Sequence, residues 1–182
     1  MIAKEGVTTK RWINNTVVYE INKWYSPEQK QIIRSAVTEL ANKTCFKFYE
    51  RSQRPNAVDY IHIDKGGQCR SYIGRVGEFQ YVYSDCLLLG GNQTMLLDDD
   101  CLHAHIIQHE FIHNNLGIGH EHQRPDRDSY IKILLENVEP GAEGELKRDS
   151  WYYYDSANLP YDHTSIMHYG AWGFSKNKKE NH

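Results

Sequence analysis

The chain has 182 residues, enough to bury a real core, and its 40% hydrophobic and 25% charged content sits near globular averages. A formal net charge of −3 gives no electrostatic reason to bind nucleic acid, and no apolar run approaches the roughly 18 residues of a membrane-spanning helix. Two counts stand out. There are four cysteines, and ten histidines of which six (His103, His105, His109, His113, His120 and His122) fall in one twenty-residue window. That clustering asks for metal chemistry.

The amino-terminal run MIAKEGVTTK is charged and lacks the apolar stretch of a signal peptide, so the chain reads as cytosolic, or as a mature or incomplete piece of something longer. The even cysteine count weakly favours the second option and suits two disulfides, although four cysteines allow three pairings. Sequons at Asn14, Asn42 and Asn92 fit a secreted protein but add little. There are no repeats, low-complexity tracts or linkers, so a single continuous domain is expected.

In chain order, Thr16 to Asn22 is β-branched and aromatic, as a strand should be. A helix follows: Ser26 is a good N-cap, Pro27 falls at the first helical position, and Gln29 completes a capping box. Ile32, Ile33, Ala36, Val37 and Leu40 then form one apolar face at helical spacing, which reads as core packing. Alternation predicts strands at Cys45–Tyr49, Tyr60–Ile63 and Phe79–Tyr83, punctuated by Gly66-Gly67 and the glycines at 74 and 77. A second helix is expected from Leu102 to about Leu116, with Asp98-Asp99-Asp100 suiting the positive end of its dipole. A calcium site there is the weaker reading, because adjacent carboxylates do not easily converge on one ion. Beyond Gly117 the chain turns irregular.

His109-Glu110-Phe111-Ile112-His113 is a His-Glu-x-x-His pattern on that second helix. Four residues span about 400° of turn and about 6 Å of rise, so both imidazoles lie on one face and can reach one zinc. Glu110 is offset by one position and can touch a zinc-bound water instead of the metal. Gly117 lets the chain leave the helix, and His120 returns as a third ligand. The alternative set His105, His109 and His113 also shares a face, but its outer members stand about 12 Å apart along the axis and cannot converge on one ion. His103 and His105 are therefore expected to be exposed or packing residues.

The run HEFIHNNLGIGHEHQRPDRD followed by SIMHYG resembles the astacin family of metzincin zinc endopeptidases. WINNTVVYEI, TCFKFYER, CRSYIGRVGEFQ and IIQHE resemble further family segments in the family's order, so the likeness extends from about Arg11 to Ser175. It implies an α+β, metzincin (zincin-like) catalytic domain. An N-terminal lobe of twisted mixed sheet plus two long helices would span about residues 1–117, a loop-rich C-terminal lobe about 118–182, with the active-site cleft between them. One zinc ion would be held by His109, His113 and His120, with Glu110 as general base. Tyr169 matches the tyrosine that ligates zinc at rest and swings away to stabilise the transition state. Met167 matches the Met-turn beneath the metal. Glu121 matches the glutamate that receives the amino terminus in processed members, and Arg124, Asp126, Arg127 and Asp128 match a charged run read as scaffold. The resemblance pairs Cys69 with Cys101. It also implies an extended protein or peptide substrate along an edge strand near Ser71 and Tyr72, secretion, and a monomer with no nucleic-acid or membrane partner.

Three features depart from the family. Asn114, Asn115 and Leu116 separate His113 from Gly117, one residue more than the family spacing. If it stayed helical, that residue would turn everything downstream by about 100°. The expectation is a turn rebuilt with the help of asparagine in the left-handed region and of Gly117 and Gly119. The alternative is a catalytically silent zinc-binding or interaction domain. The segment between Cys69 and Cys101 is longer than usual, and its insertion, holding Cys86, Gly90-Gly91 and the Asn92 sequon, is expected to loop out at the surface. Finally, the chain ends at KNKKENH before the cysteine that partners the counterpart of Cys45, which suggests a truncated end or an incomplete chain. A Cys45–Cys86 pair has no support in the sequence.

Overall fold

The computed structural model describes residues 2–3, 12–76, 91–150, 154–156 and 158–181. Their regular elements are β1 (Ile2–Ala3), β2 (Thr16–Ile21), α1 (Pro27–Lys43), β3 (Lys47–Glu50), β4 (Tyr60–Asp64), β5 (Cys69–Arg70), β6 (Asn92–Leu97), α2 (Ala104–Leu116) and β7 (Tyr154–Asp155). The chain divides into two compact units, residues 9–117 and residues 118–182 with β1.

In the first unit a five-stranded sheet has the order β3-β2-β4-β6-β5. The pairs β2–β3, β2–β4 and β4–β6 are parallel, and β5 runs antiparallel to β6 at the edge. Strand alternation sends Val17, Tyr19, Ile61, Ile63, Met95 and Leu97 into one core, where they meet Ile33, Val37 and Leu40 of α1 and Ile107 and Phe111 of α2. Phe111 meets the rings of Tyr19 and Phe48 edge-on, at 5.9 and 5.7 Å between centroids. Burying that phenyl ring contributes about 1.5–3 kcal/mol and seats α2 on the sheet.

The start of α1 follows its local signals. Ser26 Oγ accepts from the Gln29 backbone N–H at 3.2 Å, and Gln29 Oε1 accepts from the Ser26 N–H at 3.0 Å. Ile32, expected on the buried face, is instead 41% exposed. It lies about 100° from Ile33, past the edge of the stripe.

Two expectations are corrected. The insertion between Cys69 and Cys101 does not loop out along its whole length: Asn92–Leu97 is an inner strand between β4 and β5. Its inward side chains are Gln93, Met95 and Leu97, and the polar member hid the alternation. The expected strand at Phe79–Tyr83, and Cys86, lie outside the described residues. The acidic triplet does not open α2 either. Asp98 accepts from the Asp99 N–H at 3.0 Å at a separate 3-10 turn, Asp99–Cys101, and Asp99 receives Lys65 Nζ at 2.6 Å and Gln29 Nε2 at 2.7 Å. A disulfide joins Cys69 to Cys101 and so ties the edge strand β5 to the approach to α2. Cys45 is an exposed free thiol.

The second unit is loop-rich. Among its described residues, 3-10 turns begin at Glu121, Arg127, Leu135 and Glu143, and β7 pairs antiparallel with β1. Its buried apolar residues there are few: Val138, Leu146, Tyr161 and Met167. Two buried arginines serve as hubs for loop carbonyls. Arg124, 3% exposed, reaches Glu121 at 2.9 Å, Asp126 at 2.8 Å, and the carbonyls of Leu159 and Pro160 at 3.1 and 3.2 Å. Arg127 donates to the carbonyls of His122 and Leu146 at 2.8 and 2.7 Å.

Candidate metal centre and active site

Helix α2 carries His109 and His113 on successive turns, with ring centroids 6.0 Å apart. One ligand nitrogen from each of His109, His113 and His120 lies within 4.8 Å of the others. Nitrogens about 2.0–2.1 Å from a tetrahedral zinc stand about 3.3 Å apart, so modest side-chain adjustment completes the set. His103 and His105 are exposed and stack on each other, outside the group. The extra residue is absorbed differently from expectation. Both asparagines remain helical, α2 runs to Leu116, and Gly117 alone turns left-handed, at φ 63°. The silent reading, in which the extra residue removes the third ligand, is therefore not favoured.

Asn114 anchors that longer helix end. It is fully buried, its Oδ1 accepts from Gln93 Nε2 at 2.9 Å, and its carbonyl accepts from Trp12 Nε1 at 3.3 Å. Gln93 Nε2 also donates to the Gly74 carbonyl at 2.9 Å, and the Gly74 N–H donates to the His113 carbonyl at 3.0 Å. The main chain of a candidate ligand is thus clipped to the segment that follows β5.

Glu110 is 4% exposed, and its buried Oε2 has no hydrogen-bond partner among the described residues. A buried carboxylate oxygen left unsatisfied asks for a ligand, which fits a metal-centred site. Burial pushes the Glu110 carboxyl above the ordinary carboxylate range, while the Ser71 hydroxyl and the His109 ring act the other way. Ser71 Oγ donates to the Glu110 carbonyl at 2.9 Å. Tyr72 is 54% exposed beside it.

In the second unit, His120 Nδ1 lies 3.0 Å from Gln123 Oε1. With Nδ1 donating to that amide oxygen, the Nε2 lone pair is left for a metal. The Tyr169 ring lies 4.5 Å from that of His120 and stacks on His122 at 4.1 Å. Met167 is buried, and its carbonyl accepts from the Glu121 N–H at 2.9 Å, directly after His120. Glu121 Oε1 receives Arg124 and the Asp162 N–H at 3.0 Å. The amino terminus expected at Glu121 lies outside the described residues. Sequence reasoning missed Gln123, Gln93 and Asn114 as supporting residues. No local pattern marks an amide whose partner is a distant carbonyl or ring nitrogen.

A glutamate-bearing helix with two histidines, followed by a third past a glycine turn, defines a zinc-type three-histidine centre on a mixed-sheet scaffold. The peptidase family described as Astacin matches residues 4–181, and the chain belongs to the astacin family. It is 39% identical over 175 residues to zinc metalloproteinase nas-12 of Caenorhabditis elegans, covering 96% of this chain and 41% of that protein. It is 32% identical over 173 residues to blastula protease 10 of Paracentrotus lividus, covering 93% of this chain and 27% of that one. The chain thus spans less than half the length of these curated relatives. Among solved structures, high choriolytic enzyme 1, a hatching enzyme zinc-protease of Oryzias latipes, superposes with a TM-score of 0.80 at 31% identity, covering all of this chain and 83% of that one. Zinc is accordingly the metal this site could bind.

Proposed function

We propose that the protein is a zinc-dependent endopeptidase that hydrolyses peptide bonds of extracellular proteins. The single observation that carries this reading is the convergence of His109, His113 and His120 within 4.8 Å, beside a buried Glu110 whose Oε2 has no hydrogen-bond partner among the described residues. His109, His113 and His120 would hold the zinc, which supplies Lewis-acid chemistry when bound. Glu110 then accepts the proton of the attacking water and delivers it to the leaving amine. Its burial suits the work, because a carboxylate whose pKa is raised by desolvation is a stronger base towards water. Tyr169 donates its hydroxyl to the oxyanion of the transition state, and support for this is its ring 4.5 Å from that of His120. Met167 and Glu121 act as scaffold for His120. The substrate lies extended along the edge strand β5, near Ser71 and Tyr72, a position that the Cys69–Cys101 bridge restrains. Secretion suits that bridge, since disulfides persist in oxidising compartments.

The test is cleavage of an unstructured protein by the zinc-loaded chain and by Glu110→Ala, with zinc stoichiometry measured for both. The expected result is one zinc per chain in each and hydrolysis only by the parent. Equal hydrolysis by Glu110→Ala would remove the general-base assignment. A chain that binds zinc and cleaves nothing would return the molecule to the silent reading.

A further inference from the structure

Beside the turn that leads into β2 lies a groove of about 550 Å³, lined by Ile13, Asn14 and Val18 and, from the chain after β3, by Gln53, Arg54 and Asn56. A smaller groove of about 280 Å³ shares Ile13 and Thr16 with it and is bordered by Val58. Asn14-Asn15-Thr16 is a sequon. We propose that Asn14 carries an N-linked glycan whose first sugar lies in the larger groove and covers Ile13; the inference rests on the secretion reading and not on catalysis.

Three observations support it. First, the backbone separates this sequon from the other two. Asn14, Asn42 and Asn92 are all exposed. Yet Asn42 lies within α1 and Asn92 opens the inner strand β6, whereas Asn14 lies in a surface turn, the usual setting of an acceptor asparagine. Thr44, the hydroxyl residue of the second sequon, is bonded into the end of α1: it donates to the Leu40 carbonyl at 2.9 Å and accepts from the Phe46 N–H at 3.3 Å. Second, the turn presents Asn14. Asn14 and Asn15 both take the left-handed region, at φ 54° and 52°, which asparagine visits readily. Asn15 Nδ2 donates to Cys45 Sγ at 3.7 Å and the Thr16 hydroxyl donates to the Asn14 carbonyl at 3.3 Å. The turn is thus held, while the Asn14 side-chain amide makes no hydrogen bond among the described residues. Third, Ile13 and Val58 are 64% and 63% exposed and line the smaller groove together, a bare apolar patch within reach of a sugar on Asn14.

The chemistry of the groove suits N-acetylglucosamine, and its volume is in the range of small-ligand sites. Ile13 and Val18 offer apolar surface to the acetyl methyl and the ring C–H groups, and Gln53, Arg54 and Asn56 offer hydrogen-bonding groups to the hydroxyls. The far wall is fixed in advance: the Arg54 guanidinium stacks on the Tyr49 ring at 4.4 Å, and the Arg54 carbonyl accepts from the Ala57 N–H at 3.0 Å. Attachment is a substitution at C1 of the sugar of a lipid pyrophosphate-linked oligosaccharide, carried out by a transferase of the secretory route. The Asn14 Nδ2–C1 bond forms as the bond from C1 to the pyrophosphate oxygen breaks. The lipid pyrophosphate leaves with that electron pair, and the amide gives one proton to a base of the transferase.

The experiment sends the full chain, behind a cleavable secretory leader, through animal cells and recovers it from both cells and medium. Occupancy of each sequon is read by mass spectrometry after enzymatic release of the glycan in heavy-oxygen water. Asn14 is expected to be occupied on most chains, and more fully than Asn42 or Asn92. Thr16→Ala should abolish that occupancy and Thr16→Ser should restore it. Packing is read by urea denaturation of the chain trimmed to a single sugar, against the same chain made with donor synthesis blocked. The sugar should raise the folding equilibrium constant roughly three- to tenfold, the order expected for covering half of one isoleucine side chain. In Ile13→Ser that gain should vanish. Asn14 bare on chains that reach the medium overturns the inference and leaves secretion standing. Asn14 occupied on chains held inside the cell leaves the site standing and counts against secretion, whereas Asn14 bare on held chains overturns both. The same gain in Ile13→Ser as in the parent, or no gain in either, overturns the placement in the groove. Neither readout involves peptide cleavage, so the endopeptidase reading stands or falls separately.

Discussion

Gln123 is where the site's support can be weighed. Its Oε1 stands 3.0 Å from His120 Nδ1, its Nε2 donates to the Glu145 carbonyl at 3.1 Å, and its own carbonyl accepts from the Asp149 N–H at 2.7 Å. The side chain is therefore held before any metal arrives, and it fixes both the tautomer and the rotation of the His120 ring. Outer partners of this kind are worth about 10–100-fold in metal affinity, or about 1.4–2.7 kcal/mol. Gln123→Ala should weaken zinc by that factor in a competition titration against a chelating dye. The lost bond to Glu145 should cost the metal-free fold only about 0.5–1.5 kcal/mol, read by urea denaturation. Gln123→Glu separates the two roles. Its carboxylate still accepts from Nδ1 and raises ligand basicity, so zinc affinity should recover, yet it faces the Glu145 carbonyl without a donor, so stability should not. Zinc affinity equal to the parent's in Gln123→Ala would refute the reasoning. So would an affinity in Gln123→Glu no better than in Gln123→Ala.

Three further outcomes are expected. Arg124→Met should destabilise the fold by about 3–5 kcal/mol in a urea titration, since it leaves Glu121 buried without its cation and two carbonyls without a donor. Replacing Cys69 and Cys101 together by serine opens a 32-residue separation and should cost roughly 3–4 kcal/mol, with a matching fall in Tm. Tyr25 donates its hydroxyl to the Leu97 carbonyl at 2.6 Å, and burial, helped by the carboxylates of Asp64, Asp98 and Asp99, pushes its phenol above the ordinary value. A folded-state pKa raised this way leaves stability intact below about pH 10 and loses it as pH rises further. Tyr25→Phe should therefore cost about 1 kcal/mol at pH 8 and show a shallower alkaline decline in its urea midpoint than the parent.

How much could be read in advance depended on the range of the interactions. The start of α1 is written within four residues, Ser26 to Gln29, and it formed as the capping pattern implies. The histidine pair of α2 is likewise a four-residue relation. By contrast, β6 did not look like a strand because Gln93 sits among its inward residues. That glutamine is tolerated there by a carbonyl at Gly74 and an amide at Asn114, 19 and 21 residues away. The acidic triplet looked like a dipole partner for α2. It became a turn cap and a tether because Lys65 and Gln29 arrive from elsewhere in the fold. Ile32 matched the apolar stripe of α1 yet faces outward, since the stripe's width is set by what packs against it.

By itself the sequence determined the chemistry available: the family, the three imidazoles, the glutamate beside them and the capped first helix, all carried by residues a few positions apart. Only the tertiary structure decided how an extra residue after His113 could be kept. The answer lies in a buried amide pair, a glycine turn and a tryptophan 102 positions away that hydrogen-bonds Asn114. Local spacing sets which face a side chain is on, whereas burial and hydrogen-bond satisfaction depend on partners that folding alone brings within 3 Å or so.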